Sequence, residues 1–188
     1  MLSYLLALTI LASTVALLYA RWEYRKRGRL TLVGLFLLCA MIFMPNLVLE
    51  YATSYEIPST LIDYVGVFVG VVGIILCLVG ISLFRSISKV MCQDTEELTR
   101  SGIYRWSRNP QYVGLFLFLL GFALTDWSLW CLAALLVAAV NLHLLVLVEE
   151  EHLRRVFGEQ YINYCQKVPR YGGWRPARIE LEGRSWPE

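Results

Sequence analysis

The chain has 188 residues, of which 57% are hydrophobic and 17% are charged, whereas soluble domains average roughly 45–50% apolar and about 25% charged residues. This composition predicts an integral membrane protein with a single domain. The net charge of +2 and the five cysteines, none in a CxxC pair, give no support for nucleic-acid binding, a disulfide framework or a metal site.

Apolar runs of the length needed to cross a bilayer follow one another along the chain. A bilayer core of about 30 Å takes roughly 20 residues of helix. The first run has no basic residues before it and no small-residue cleavage site after it, so we expect a retained helix rather than a signal peptide. The runs are 2–20, 30–49, 62–84, the shorter 112–125, and 127–148.

The last two runs are predicted to form a helical hairpin over 110–148. Its first arm begins at Pro110, and its tip lies at Asp126 and Trp127. The fold class expected for the whole chain is therefore all-α, a polytopic bundle of about five transmembrane helices followed by a C-terminal amphipathic segment.

The basic residues of the loops predict how the bundle is oriented. Residues 21–29 contain five Lys and Arg, residues 50–61 contain none, and residues 85–111 again contain five. Because basic loops favour the cytoplasm, we expect the N-terminus outside or in a lumen. Segments 85–111 and 149–188 then share the cytoplasmic side of a prokaryotic plasma membrane or an endoplasmic reticulum.

Small residues in the third run, Gly66, Gly70 and Gly73, form a stripe. Their spacing indicates close packing against another helix.

The stretch RWSRNPQYVG (105–114) is polar although it borders an apolar run. Asn is a good helix N-cap and Pro fits the first helical position, so Asn109 and Pro110 are expected to start the helix. Unpaired N–H groups and the positive end of the helix dipole then face the membrane boundary. An anion such as a carboxylate is expected there, beside Arg105 or Arg108.

A second polar segment, 149–173, begins directly after the last apolar run. About 100° per residue separates its three glutamates around a helix axis, so at most two of them face inward. Glu149 and Glu150 are placed to accept hydrogen bonds from ribose hydroxyls or to pair with an ammonium group. His152 is expected to be exposed. Apolar residues recur at helical spacing in this segment and predict an amphipathic helix: Leu153, Val156, Phe157, Tyr161 and Tyr164.

The segments ELTRSGIYRWSRNPQYVG (97–114) and EEEHLRRVFGEQYINYCQKVPR (149–170) resemble the isoprenylcysteine carboxyl methyltransferase family, which is related to the integral-membrane phospholipid methyltransferases. The resemblance implies an enzyme that uses S-adenosyl-L-methionine and releases S-adenosyl-L-homocysteine. It further implies a lipophilic, prenylcysteine-like substrate entering from the bilayer, with no obligate protein partner. Residues 1–84 would supply three N-terminal helices, and 85–188 the cofactor-binding catalytic half of one domain.

The same resemblance implies a set of site residues. Leu98 and Tyr104 would line the adenosine, and Glu149 and Glu150 correspond to an acidic pair. Lys89 takes the place of an upstream polar contact. Asn109, Pro110 and Tyr112 would surround the methionine and nucleoside parts. The family usually has His where this chain has Asn109, so a role that needs an imidazole to carry a proton is not expected, although hydrogen bonding remains possible.

Methyl transfer to a carboxylate needs no general base, because a carboxylate is already ionised near neutral pH. An arginine that orients the acceptor suffices, and Arg85, Arg105 and Arg108 are the candidates. Glu149 is the acidic residue expected to take part. The alternatives are a phospholipid or amine N-methyltransferase, which needs a base such as a glutamate or His152, a sterol-type membrane reductase, and a non-enzymatic bundle such as a transporter or an assembly factor.

Overall fold

The computed structural model describes residues 1–52, 60–83, 102–125 and 128–172, and within these ranges the chain is helical with no β-strand. Six α-helices and one short 3₁₀ helix, Gly102–Arg105, make up the described fold. The all-α prediction is confirmed. The α-helices are α1 (Leu2–Arg27), α2 (Leu32–Ala52), α3 (Leu61–Leu83), α4 (Pro110–Thr125), α5 (Leu129–Phe157) and α6 (Glu159–Lys167).

Among the residues that the structure describes, three helical segments are long and apolar enough to cross a membrane: Leu2–Arg27, Leu61–Ser82 and Leu129–Phe157. Two shorter apolar segments, Leu32–Pro45 and Pro110–Thr125, accompany them. Large apolar side chains on the outside of the bundle, such as Phe36 and Phe68, are exposed. An outward-facing apolar surface is what contact with lipid requires, so the predicted membrane bundle is confirmed.

Helix α1 continues beyond the apolar run that predicted it. The expected span ended at residue 20, whereas the helix ends at Arg27, with Arg25 and Lys26 also in its last turn. Cations there interact favourably with the negative end of the helix dipole. Gly28 then adopts the left-handed conformation (φ 66°) that commonly terminates a helix. The basic residues 21–27 are therefore presented on a rigid helix instead of a loop.

Helices α3 and α4 pack against each other through glycines. A methyl group placed on Gly73 would lie 2.6 Å from the carbonyl oxygen of Gly114, and one on Gly66 would lie 2.8 Å from that of Gly121. Such distances leave no room for a side chain, so the backbones meet directly, as the glycine stripe predicted. The two helices run antiparallel, so Gly80 of α3 lies beside Gln111 at the start of α4.

Helices α1, α2 and α5 share a second core, in which Tyr24, Leu38 and Leu145 are buried. The carboxylate of Glu23 is fully buried beside them. It accepts hydrogen bonds from the backbone N–H (2.9 Å) and hydroxyl (2.7 Å) of Thr31, just before α2, and pairs with Arg27. Gly34 leaves the space that this carboxylate occupies.

Helix α5 extends about two turns past the apolar run that was expected to end at Val148. Glu151, on this extension, pairs with Arg21 and Arg25 of α1. At Gly158 (φ 48°) the chain turns, and α6 follows as a separate helix. The predicted amphipathic segment is thus two helices divided at Gly158. The two helices enclose a small hydrophobic core where they meet. Its buried residues are Tyr161, Tyr164 and Val168, with Leu153, Phe157 and Cys165 packed against them.

Candidate active site

The two polar motifs meet at one end of the bundle, where α4 begins and the extension of α5 runs past it. The 3₁₀ helix before α4 carries Tyr104, which is buried. Its hydroxyl lies 3.1 Å from Oε1 of Gln111 and 3.2 Å from the carbonyl oxygen of Gly80. Burial, together with nearby Tyr164 and Glu149, raises the pKa of this phenol, so Tyr104 remains protonated and donates its hydrogen.

Helix α4 begins where the sequence predicted. The carbonyl oxygen of Asn109 accepts the first helical hydrogen bonds, from the N–H groups of Tyr112 and Val113, and Pro110 occupies the first helical position. The side chain of Asn109 does not cap this helix. Its Nδ2 instead points to the carbonyl oxygen of Arg170 (3.3 Å) and to Oε1 of Glu150 (3.5 Å). The amide therefore links α4 to α5 and to the segment after α6.

Glu150 is the buried centre of this link. Its carboxylate is 3.2 Å from Nη1 of Arg108 and 2.8 Å from Nη2 of Arg170, with Nε of Arg170 a further donor at 3.0 Å. The Arg108 and Glu150 side chains are 5% and 3% exposed, so their charges interact with little screening. The hydrogen bond to Glu150 raises the pKa of Arg170. The anion predicted beside Arg108 is thus a carboxylate of the chain itself.

Glu149 faces a different side of α5 from Glu150. It accepts a hydrogen bond of 2.5 Å from the hydroxyl of Tyr112 on α4. Both residues line a cavity of about 280 Å³ between the helices, together with Gln111 and with apolar residues of α2 and α3 such as Leu38 and Ile81. The cavity is therefore apolar along most of its wall and polar where Glu149, Tyr112 and Gln111 meet.

The structure brings some predicted site residues together and leaves others apart. Tyr104, Asn109, Pro110, Tyr112, Glu149 and Glu150 cluster at the junction of α4 and α5, with Arg108 beside them. Arg105 is exposed, and no hydrogen bond or ion pair joins it to these carboxylates in the described ranges. Arg85, Lys89, Leu98 and the hairpin tip, Asp126 and Trp127, lie outside the described residues.

His152 differs from its expected exposure. Its ring is buried and stacks on Tyr24 with centroids 4.3 Å apart, and its Nε2 has no hydrogen-bond partner in the described part of the chain. Burial lowers the access of a substrate to this imidazole.

Arg170 is the main residue that the sequence reasoning missed. It lies within the second motif, but nothing in its spacing signalled that it would return to Glu150 after the turn at Gly158. Ser107 is a second such residue. Its hydroxyl donates to the carbonyl oxygen of Arg170 (3.1 Å) and accepts from the N–H of Asn109 (3.1 Å). Together with the N–H of Arg108, which donates to the carbonyl oxygen of Pro169 at 3.0 Å, these bonds fix residues 168–171 across the start of α4.

A comparison with known protein families gives a match over the helices that contain most of this site. The family model described as phospholipid methyltransferase matches residues 62–160, which include all of α4 and α5 and all but the first residue of α3. This chain belongs to the phospholipid methyltransferase family. The match covers the glycine contact between α3 and α4 and the site residues from Tyr104 to Glu150, whereas Arg170 lies beyond it.

Curated relatives within this phospholipid methyltransferase family carry a more specific name. The chain is 35% identical over 89 residues to protein-S-isoprenylcysteine O-methyltransferase from Xenopus laevis, covering 47% of this chain and 31% of the relative. Proteins of the same name from Tribolium castaneum (32% over 82 residues, 42% and 29%) and Mus musculus (31% over 103 residues, 47% and 31%) are also similar. The chain thus spans about a third of the length of these relatives. No solved structure matches it.

The names of these relatives imply a methyl donor, and the residues of the site suit a charged one. Nε of Arg108 is buried without a hydrogen-bond partner in the described ranges, and it is a donor of the kind that binds a carboxylate. Glu149 offers acceptors for hydroxyl or ammonium groups. In the parts of the chain that the structure describes, no group of three metal-ligating side chains occurs.

Proposed function

We propose that this protein is an S-adenosylmethionine-dependent membrane methyltransferase. Its acceptor is the C-terminal carboxylate of a prenylated cysteine, or a similar lipophilic acid. The observation that carries the proposal is the junction of α4 and α5, where two polar motifs meet beside a cavity that is apolar along most of its wall. The names of the curated relatives support the choice of a carboxylate acceptor.

The donor binds at the polar end of the cavity. Glu149, held by Tyr112, accepts hydrogen bonds from ribose hydroxyls or from the amino group, and its charge favours a cation. Methyl transfer removes the positive charge from sulfur, so this attraction contributes to binding and not to the rate of the chemical step. Tyr104, whose hydroxyl contacts the cavity residue Gln111, and Pro110 adjoin the donor in this proposal. Further contacts come from Asn109, Glu150, Lys89 and Leu98, as the resemblance implies.

The acceptor enters from the bilayer, with its tail against the apolar wall of the cavity formed by residues such as Leu38 and Ile81. Arg108 does not line this cavity and its guanidinium pairs with Glu150, but its buried Nε has no partner in the described ranges, and it is the arginine that we propose to orient the acceptor carboxylate. Arg105, being exposed, attracts anions only from the solvent side. This arrangement brings a carboxylate and a charged donor together at the membrane boundary on the cytoplasmic side.

The bound donor supplies an electrophilic methyl group on a sulfonium. An oxygen of the acceptor carboxylate forms a bond to the methyl carbon as the carbon–sulfur bond breaks, which leaves a neutral thioether and a methyl ester. No proton moves, so the site needs no general base. What the chain contributes is alignment through Arg108 and Glu149, together with the removal of water from the carboxylate in a largely apolar cavity.

N-methylation of a phospholipid amine is the second candidate, favoured by the description of the matching family model. An ammonium group must lose a proton before it attacks, so a base becomes essential. Because His152 is buried and stacked on Tyr24, Glu149 at the cavity is the residue for that role.

A methyl-transfer assay tests the proposal. The full chain in nanodiscs is incubated with radiolabelled S-adenosylmethionine and either farnesylated N-acetylcysteine or phosphatidylethanolamine. We expect label in the farnesylated acid that is released by mild base, and none when its carboxylate is already methylated. Base-stable label in phosphatidylethanolamine would replace the carboxyl proposal with N-methylation. If S-adenosylhomocysteine at saturation also fails to raise the melting temperature, both versions are excluded.

A further inference from the structure

A cleft lined by arginines lies beside the site, at the same end of the bundle. It has a volume of about 360 Å³ and is bounded by Leu147, Glu150, Glu151, Arg154, Arg155 and Arg170. Helix α1 extends its basic wall, because Arg21 and Arg25 bind Glu151 from the other side. Residues about 130 positions apart in the sequence therefore converge on one small region.

The charges of this region do not balance. Glu151 pairs with Arg21 (3.0 Å), Arg25 (2.8 Å) and Arg155. Glu150 pairs with Arg108 and Arg170, and Arg154 approaches it at 3.9 Å. Six guanidinium groups thus surround two carboxylates, an excess of four positive charges. Such an excess is costly unless solvent or an anion compensates for it.

Several of these guanidinium groups keep free hydrogen-bonding capacity. The side chains of Arg154 and Arg155 are 55% and 45% exposed, and each guanidinium carries five N–H donors. Guanidinium groups bind phosphate oxygens in a bidentate manner, which makes arginine the preferred residue for phosphate recognition. The chemistry of the cleft therefore suits a phosphate group.

The position of the cleft indicates the source of that phosphate. Exposed apolar side chains precede the basic residues of each helix: Leu18 lies three residues before Arg21 on α1, and Leu147 lies seven residues before Arg154 on α5. At the end of α1, Trp22 lies under Lys26 with 5.1 Å between the ammonium and the ring centroid. Tryptophan and basic residues in this order mark the headgroup layer of a bilayer. The cleft thus opens at the depth where phospholipid phosphates lie.

We propose that this cleft binds the headgroup of an anionic phospholipid, with the phosphate between Arg154, Arg155 and the arginines of α1. Two helices bring their arginines to one cleft at headgroup depth. Setting the membrane topology requires basic residues on that side of the bundle, but not their concentration in a single cleft. The site is separate from the cavity assigned to the methyl acceptor, and its occupancy does not depend on methyl transfer. Arg170 and Glu150 form the boundary between the two.

Lipid retention tests this site directly. The full chain is purified in mixed micelles of phosphatidylglycerol and phosphatidylcholine, and bound lipids are counted by native mass spectrometry. We expect the wild-type protein to retain phosphatidylglycerol in preference. The double variant Arg154→Gln/Arg155→Gln should lose about thirtyfold in that preference, which corresponds to roughly 1 kcal/mol for each basic residue at a membrane surface.

The matched control removes the same charge elsewhere. Lys26→Gln/Arg29→Gln lowers the net charge equally at the same end of α1. Neither residue lines the cleft or pairs with Glu151 as Arg21 and Arg25 do, so the preference should change by less than about threefold if the cleft, and not net charge, holds the lipid. A second pair, Arg21→Gln/Arg25→Gln, removes the α1 arginines that pair with the cleft residue Glu151 and should reproduce the loss even if the first variant is poorly folded.

Three results would overturn the proposal. Wild-type protein that retains both lipids equally has no such site. Equal losses in the cleft and control variants would mean that only net charge matters. Displacement of phosphatidylglycerol by millimolar inorganic phosphate in micelles would show an anion site for soluble phosphate and not for a lipid headgroup.

Discussion

Neighbouring residues Glu149 and Glu150 have different surroundings because one residue along a helix rotates a side chain by about 100°. Glu150 turns toward Arg108 and Arg170, where its charge is balanced and almost fully buried. Glu149 turns toward Tyr112 and the cavity. Glu150 therefore maintains the junction of α4 and α5, while Glu149 is available to a ligand.

Substituting these two glutamates should separate stability from binding. Glu150→Gln leaves Arg108 buried without a counter-charge, so we expect the free energy of unfolding to fall by about 3 kcal/mol. Glu149→Gln keeps an oxygen for the Tyr112 hydroxyl and should lose less than about 1 kcal/mol, while weakening the binding of S-adenosylhomocysteine. Chemical unfolding in micelles, followed by tryptophan fluorescence, gives the first comparison. Equal losses of stability would contradict the structural role of Glu150.

Asn109 shows why an amide serves at this position. Its Nδ2 lies within reach of two acceptors, the Glu150 carboxylate and the carbonyl oxygen of Arg170. We expect Asn109→Ala to lower the free energy of unfolding by about 1–2 kcal/mol, since buried acceptors lose a donor. Asn109→His retains an N–H for Glu150 and should lose less. Thermal unfolding of the two variants side by side measures the difference, and a less stable histidine variant would argue against the linking role.

At the scale of the elements, α4 is positioned by α3 more than by its partner in the predicted hairpin. The backbone contact through Gly73 and Gly114 sets the height of α4 in the bundle. That height determines where Asn109 and Tyr112 meet α5. A change in the glycine contact should therefore disturb the site, because Gly114 lies only about one and a half turns from Asn109.

Two glycines of the same stripe provide a matched test. A methyl group on Gly73 would lie 2.6 Å from the carbonyl oxygen of Gly114, whereas one on Gly70 meets its nearest atoms at 3.9 Å. We expect Gly73→Ala to lower the free energy of unfolding by about 2 kcal/mol through overpacking. Gly70→Ala should be close to neutral. If both variants unfold at the wild-type temperature, the close contact between α3 and α4 does not exist in the membrane.

The positions of most helices could be predicted from the sequence, because an apolar segment can cross a bilayer in few structures other than a helix. The start of α4 at Pro110 and the limits of α3 follow from the apolar pattern and from Pro chemistry. The far end of α1 could not, since its charged residues were interpreted as a loop, and the break at Gly158 that divides the predicted amphipathic segment was not foreseen. The charged residues of α1 stay helical because Arg21 and Arg25 pair with Glu151 of α5, a tertiary contact that no local pattern records.

Part of the candidate site was predictable because its residues lie on helices that the sequence predicted. Tyr112, three residues after Asn109, and the adjacent Glu149 and Glu150 lie on helices whose geometry fixes their directions. Arg170 was not predictable, because its approach to Glu150 depends on the turn at Gly158. Asn109 was expected to cap α4, but its side-chain amide points instead to the carbonyl oxygen of Arg170 and to Glu150, which no local pattern predicts.

At the scale of the whole molecule, the ends of the helices define one polar face of the bundle. The C-terminal ends of α1, α3 and α5 and the N-terminal ends of α2 and α4 lie together, as the contacts of Glu23, Gly80, Asn109 and Glu151 require. The N-terminus of the chain belongs to the opposite face. This arrangement supports the prediction of five crossings, and the compartment that each face meets is open to experiment.

Cysteine labelling tests that orientation. In a variant whose native cysteines are replaced by alanine, Ser3→Cys and Asn163→Cys each add one thiol at an exposed helical position. We expect a membrane-impermeant maleimide to label Cys at 3 in intact cells and Cys at 163 only after permeabilisation, because basic segments stay in the cytoplasm. Labelling of both from the same side would contradict an odd number of crossings.

The buried carboxylate of Glu23 has a consequence for how the protein enters the bilayer. Arg27 of the same helix pairs with it, and Thr31, just before α2, donates two further hydrogen bonds, so α1 moving alone would leave this carboxylate without the two Thr31 donors. Joining the two helices first removes that cost. We therefore expect the translocon to release α1 and α2 as a preassembled pair. Replacing Glu23 by Gln should allow α1 to leave earlier, as cross-linking of stalled nascent chains can detect.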